Sequence, residues 1–295
     1  MARRKTNKTT SLVYLIIALI LGAVISHFSS MDKTSLTNSY EHVTGELSVH
    51  FVDVGQADCQ VILLPDNKVM MIDAGNNDDA TLVCDYLDNL GIEKIDYLVG
   101  THPHEDHIGS LDTVINNYEV ENVYMPDAEA DNKTYRDVKK ALSSKNLGVT
   151  LTSAGTTIYS DEDLKIEAVA PVYYYDELNN SSIVIHLTYK DASFLFTGDA
   201  EEESENDING DISADVLSVG HHGSSTSTSD YFLERVDPMY AVISCGANND
   251  YGHPHWETLE KLENDDITIY RTDRDGTLIC TTKGAKGDYS WQGAE

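Results

Sequence analysis

Thr101-His102-Pro103-His104-Glu105-Asp106-His107 gathers three imidazoles and two carboxylates within seven residues. The stretch Ile95 to Val99 just upstream, apolar but for Asp96, reads as a buried strand, so the heptapeptide is the loop at its carboxyl end, where several side chains can aim at one point. Imidazole nitrogen and carboxylate oxygen are the donors that Zn, Mn and Fe prefer. Seven of the 11 histidines fall in three groups, His102/His104/His107, His221/His222 and His253/His255, each at or near the end of an expected strand. Between the first two groups the run Ser193 to Phe196 delivers Thr197-Gly198-Asp199. A carboxylate beside apolar strands is costly to bury alone, whereas between two cations it serves as a bridge.

Outward from that loop the pattern alternates. Leu47 to Val54, Val61 to Leu64 and Val69 to Ile72 read as strands, Thr81 to Leu90 as a helix stopped by Gly91. A helix over Ile108 to Tyr118 leads to strand Val120 to Met125 and helix Thr134 to Leu147, and several strands lie between Val149 and Phe196. Strand Val216 to Val219, helix Tyr231 to Val236, strand Tyr240 to Ser244, helix Trp256 to Leu262 and strands Ile267 to Tyr270 and Thr277 to Cys280 complete the series. Strands mixed with helices in both halves predict an α/β fold: an αββα sandwich of two mixed β-sheets with helices on both outer faces, forming one domain over residues 45–295. The acidic run Asp199 to Asp215 reads as a solvated loop, and Cys59, Cys84, Cys245 and Cys280, all in apolar segments, as buried thiols.

The chain has 295 residues, 41% hydrophobic and 24% charged, an ordinary globular composition that excludes disorder and collagen-like repeats. Charge is the unusual quantity. Four of the 20 basic residues and none of the 50 acidic ones precede position 31, so from there on 16 basic residues face 50 acidic ones, a net charge of −34. Such a surface repels phosphate backbones at long range and argues against a broad basic groove for nucleic acid. At the other extreme, Leu12 to Ile25 is apolar apart from Gly22 and stands behind Arg3, Arg4, Lys5 and Lys8. Residues 1–28 are therefore expected to be a signal peptide or an uncleaved membrane anchor, and polar residues 29–44 a linker. Either way the domain beyond lies outside the cytoplasm, extracellular or membrane-anchored, and the membrane is a partner only through that segment.

These residues together resemble a metallo-β-lactamase-fold hydrolase, and within that fold the C-terminal metallo-hydrolase domain of ComEC-type competence proteins. The resemblance runs through His50-Phe51-Val52-Asp53-Val54-Gly55-Gln56-Ala57-Asp58, Met71-Ile72-Asp73-Ala74-Gly75, the His102 to His107 stretch and Phe196-Thr197-Gly198-Asp199. It continues in His221-His222-Gly223-Ser224, in Asn248 to Pro254 and in Arg271 to Gly276, covering about residues 46 to 282. The resemblance implies two divalent metal ions, Zn or Mn. His102 and His104 would hold one, and Asp106, His107 and one histidine of the His221-His222 pair, taken as His222, the other, with Asp199 bridging. Asp73 would support the ligand loop rather than touch metal. Where many members of the fold place a further histidine, this chain has Leu178-Asn179-Asn180-Ser181-Ser182, a departure that bears on how the first ion is held.

Asp106, His221 and His253 are the residues assigned to catalysis, with His221 facing substrate and His253 placed to donate to a leaving oxygen. Ser224, Ser225 and Thr226 are not set in a Gly-x-Ser-x-Gly elbow, which argues against a serine hydrolase. The expected function is an exported metal-dependent phosphodiesterase or nuclease whose water is activated by the cations, acting on a phosphoester such as single-stranded DNA. No stable protein partner is expected. Two alternatives stand beside it: a phosphoesterase on small or cell-wall-linked substrates such as phosphorylcholine esters, and a non-catalytic metal-binding module.

Overall fold

Short runs rich in Val, Ile, Leu and Phe, bounded by Gly, Pro and Asn, form the strands in a computed structural model that describes residues 42–293. The expected signal or anchor segment and the linker up to residue 41 lie outside the described residues. In chain order the strands are β1 (Leu47–Phe51), β2 (Gln60–Leu63), β3 (Val69–Ile72), β4 (Lys94–Val99), β5 (Glu119–Met125) and β6 (Val149–Leu151). There follow β7 (Thr157–Ser160), β8 (Leu164–Ala170), β9 (Val184–Tyr189), β10 (Ala192–Phe196), β11 (Val216–Ser218), β12 (Tyr240–Ile243) and β13 (Thr268–Arg271). The last two are β14 (Leu278–Thr282) and β15 (Ser290–Gly293).

One sheet has the order β15-β14-β1-β2-β3-β4-β5-β6 and the other β13-β12-β11-β10-β9-β8-β7. Each is mixed. β3 to β6 pair in parallel, as do β10 to β13, and the remaining pairs are antiparallel. The main core lies between the sheets, where Val49, Phe51, Ile62, Met70 and Ile72 meet Ile166, Ile185, Leu187, Phe194 and Phe196.

Parallel pairing requires crossovers, and the crossover helices cover the outer faces. On the first sheet these are α1 (Ala80–Asn89), α2 (Glu105–Ile108), α3 (Leu111–Asn117) and α4 (Lys133–Lys145), which bury Val83, Leu87, Leu111, Val114, Val138 and Leu142. On the second they include α5 (Glu202–Asp207), α6 (Asp230–Val236) and α7 (Trp256–Asn264), with a single turn α8 (Thr272–Asp275) after β13. Phe232, Leu233 and Leu262 there pack on Leu195, Leu217 and Ala241 of the strands. The αββα sandwich of two mixed sheets is the fold of this chain.

Three local expectations need correction. The helix expected over Ile108 to Tyr118 is two helices, α2 and α3, broken at Gly109, where the chain touches the backbone of Asn76 and Asn77. The acidic run is not all solvated loop. Its middle is α5, whose Glu205 is buried and accepts hydrogen bonds from Thr228 N and Ser229 N. Finally, β15 adds an edge strand that the apolar pattern does not show, because its four residues are Ser, Trp, Gln and Gly. The cysteines are free thiols, buried at 59, 245 and 280 and half-buried at 84.

Candidate metal centre

Carboxyl ends of parallel strands are where open α/β sheets place their ligands. Here β3 leads to Asp73, β4 to the His102–His107 turn, β10 to Asp199, β11 to His221 and His222, and β12 to the loop that carries His253. The two sheets thus deliver their polar loops to one edge of the sandwich. His102, His107, Asp199 and His222 are buried there, and His104 and Asp106 half-buried.

Three imidazoles point Nε2 inward because protein groups occupy Nδ1. His107 Nδ1 donates to Asp73 Oδ2 at 2.7 Å. Asp73 also accepts from Thr101 N at 2.8 Å and Thr101 Oγ1 at 2.6 Å, so one carboxylate fixes both the ring and the start of its loop. His222 Nδ1 donates to Ser244 O at 3.0 Å, and His102 Nδ1 lies 3.2 Å from Ser182 Oγ. This is how metal-binding histidines are oriented.

The inward donors form two sets that share Asp199. His102 Nε2 lies 3.0 Å from His104 Nδ1 and 3.7 Å from Asp199 Oδ2. On the other side His107 Nε2 is 3.0 Å and His222 Nε2 is 3.8 Å from Asp199 Oδ1, and His222 Nε2 is 3.3 Å from Asp106 Oδ2. Donors about 2.0–2.1 Å from a tetrahedral cation stand roughly 3.3–3.4 Å apart, so these spacings suit a cation in each set. His107 Nε2 and Asp199 Oδ1 are, moreover, buried atoms with no hydrogen-bond partner, facing each other across 3.0 Å. Two such groups at that distance need a proton or a metal cation between them. The residues present therefore fit a pair of cations: His102, His104 and Asp199 for one, Asp106, His107, Asp199 and His222 for the other.

Protonation tells the same story. Burial alone would lower His107, yet the carboxylates of Asp199 and Asp73 hold it well above the ordinary imidazole range. Burial likewise works against His222, and Asp199 and Asp106 carry it up to about 9. Burial would raise Asp199, but His107 and His222 keep it well below the usual carboxylate range. His102, pushed down by burial and by His107, stays neutral, the form that binds metal.

His221 sits beside the shared carboxylate with a different support. Its Nε2 is 3.6 Å from Asp199 Oδ2, and its Nδ1 is 3.3 Å from both Glu201 Oε1 and Thr226 Oγ1. Both His221 and His222 adopt left-handed backbone, φ 51° and 54°, between Gly220 and Gly223, a turn that lets successive rings reach one cleft. His253 joins them, its ring 5.5 Å from that of His221 and 6.3 Å from that of His222. His255 sits one step further out, bonded to Ser225 N at 3.0 Å at the start of α7.

The structure brings together every site residue expected from the sequence: His102, His104, Asp106, His107, Asp199, His221, His222 and His253. Sequence reasoning missed the groups that hold them. Ser182 is the clearest: it stands behind His102 and its Oγ accepts from Asp199 N at 3.1 Å, a role no residue type announces. Glu201 lay unnoticed in the acidic run, and Asp58, buried beneath His107 at 3.9 Å, in the opening turn. The only signal for Ser182 was the missing histidine in its segment.

A family model described as the Metallo-beta-lactamase superfamily matches residues 52–247. Among curated proteins the chain is 29% identical over 272 residues to ComE operon protein 3 of Bacillus subtilis (strain 168), covering 85% of this chain and 35% of that protein. It is 31% identical over 221 residues to Recombination protein 2 of Haemophilus influenzae, covering 72% of this chain and 26% of that one. The chain thus spans about a third of the length of these relatives or less. Among solved structures, the metallo-beta-lactamase fold protein YhfI from Bacillus subtilis superposes with a TM-score of 0.52 at 12% identity, over 80% of this chain and 99% of that one.

Proposed function

The chain belongs to the metallo-β-lactamase superfamily, and from that membership and the donor geometry we propose that it is a metal-dependent phosphodiesterase whose substrate is single-stranded nucleic acid. The observation that carries this reading is the division of Asp199, one oxygen toward each donor set. Divalent cations held there supply Lewis acidity toward a phosphoryl oxygen and lower the pKa of a neighbouring water.

The chain's own residues supply the rest. His221 is oriented by Glu201 and Thr226 and remains partly exposed beside Asp199, so it faces the substrate. On a chain of net charge −30 an anionic ester finds no broad basic surface, and its recognition concentrates in the cleft. Tyr251, 68% exposed and stacked on His253 at 5.6 Å, offers a face on which a base can stack. The Haemophilus relative is named a recombination protein, which points to nucleic acid as well. The apolar run Leu12 to Ile25 behind four basic residues supports placing the catalytic domain outside the cytoplasm.

The test is turnover by the purified full chain, supplied with Zn or Mn, on bis(4-nitrophenyl) phosphate, single-stranded DNA and a choline-phosphate ester. Hydrolysis of the first two, lost at least a hundredfold in His102→Ala and Asp199→Ala proteins that still fold, is the expected result. Cleavage of the choline ester alone would move the substrate to small phosphoesters. No turnover with any metal would make the chain a binding module.

A further inference from the structure

In the opening turn Gly55-Gln56-Ala57-Asp58 between β1 and β2, Asp58 lies beneath His107, and the glutamine reaches the catalytic face. Gln56 Oε1 accepts from Gly246 N at 3.0 Å, and Gln56 Nε2 lies 3.3 Å from His253 Nδ1. The approach is close: a Cβ on Gly246 would stand 2.7 Å from Gln56 N. The loop that carries His253 is itself clipped by Asn249. The Asn249 amide donates to Gly246 O at 2.9 Å and His253 O at 2.6 Å, and its oxygen accepts from His253 N at 3.0 Å and Tyr251 N at 3.1 Å. The histidine backbone is therefore fixed before its ring makes any contact.

This arrangement determines where the ring proton sits. A backbone N–H only donates, so the Gln56 atom facing Gly246 is the oxygen and the atom facing His253 is the NH2. An NH2 group only donates, so His253 Nδ1 is the acceptor and the proton of the neutral ring is on Nε2. Burial and the neighbouring His221 and His222 push His253 down to about 4, so the ring is neutral at pH 7. The ring packs among those of His255, His221 and His222, with centroids 4.7, 5.5 and 6.3 Å away, and its Nε2 carries no hydrogen bond to another described residue.

We propose that Gln56 is a positioning residue that holds His253 as the Nε2–H tautomer, so that the ring presents a hydrogen-bond donor to an oxygen of the bound phosphoester. The second clause rests on the hydrolase reading above; the tautomer does not.

The experiment compares wild-type, Gln56→Glu and His253→Gln full chains labelled with 15N-histidine, reading long-range proton–nitrogen correlations, with the His253 signals assigned by their loss in His253→Gln. Wild type is expected to show the proton on Nε2. Gln56→Glu keeps an acceptor for Gly246 N but turns a second acceptor on Nδ1, and is expected to move the proton to Nδ1. On bis(4-nitrophenyl) phosphate the same variant is expected to lose about tenfold to a hundredfold in kcat, with KM and metal content unchanged. A wild-type proton on Nδ1, or an unshifted signal in Gln56→Glu, overturns the positioning role. A shifted signal with unchanged kcat overturns the donor role. A wild type that shows no turnover defeats the hydrolase reading, while the spectrum still decides the tautomer.

Discussion

Gly109 tests whether the ligand turn is held by backbone packing. It follows α2 directly, with ordinary right-handed φ and ψ of −55° and −49°, so left-handed freedom is not the reason for a glycine there. The reason is contact. A Cβ at 109 would stand 2.2 Å from the carbonyl carbon of Asn76, 2.3 Å from Asn77 N and 2.5 Å from Asn76 Cα. Ordinary contact begins near 3.4 Å, and backbone cannot swing aside as a side-chain end can, so segments 76–77 and 109 must part by about 1 Å. Parting them strains Gly109 N to Gly75 O at 2.8 Å and Ala74 N to His107 O at 2.7 Å, the bonds that tie the ligand helix to the Asp73 loop. Gly→Ala lowers unfolded-state entropy in the variant's favour by about 0.4–1 kcal/mol, but overpacking against backbone costs about 1–3 kcal/mol or more. The clash wins. We expect Gly109→Ala to lose about 2–3 kcal/mol and, at about 2–4 °C per kcal/mol for a domain of this size, to melt about 4–12 °C lower. Gly148, with nothing within 4 Å of its Cβ position, is the control, and Gly148→Ala should melt at or slightly above wild type. A Gly109→Ala protein that melts with wild type refutes the packing argument.

Two further predictions follow from buried groups. His50 lies in β1 with Nε2 on Ser48 Oγ at 2.8 Å and Nδ1 on Tyr86 OH at 2.7 Å, and burial, aided by His42, pushes it down to about 3. A depressed folded pKa contributes stability above the unfolded value of 6.5 that is lost as pH falls toward 3. Between pH 7 and 5 the loss is on the order of 2 kcal/mol, so denaturant titrations should show a flatter acid limb in His50→Gln than in wild type, and equal slopes would contradict the assignment. At the cation site, Asp73→Asn presents an NH2 to His107 Nδ1 and disturbs the proton that keeps Nε2 facing inward. Chelator competition should then find metal held about tenfold to a hundredfold more weakly, with the fold retained by circular dichroism; unchanged affinity would remove Asp73 from the site's support.

The sandwich and the donor groups are legible in the sequence for different reasons. Strands such as Val69–Ile72 and Tyr240–Ile243 are contiguous apolar runs because helices cover them, and that pattern survives any detail of packing. His102 to His107 and Asp199 stand out because their chemistry is rare beside apolar strands. What escaped is set by tertiary contact. Gly109 breaks a helical period because Asn76 lies against it, Glu205 looks solvated until its backbone partners are known, and Ser182, Gln56 and the Ser244 carbonyl are common groups given a role by the ring they touch. The order of His221 and His222 is likewise a matter of turn geometry: left-handed backbone at both sends His222 to Asp106 and leaves His221 with Glu201.

The central claim, that Asp199 joins two donor sets each able to hold a cation, is tested most directly by metal content. Full-length protein dialysed against Zn or Mn and then against metal-free buffer should carry two ions per chain by elemental analysis, and Asp199→Ala, which takes one donor from each set, should carry fewer than one. A wild type that retains none, or an Asp199→Ala protein that still retains two, would contradict it.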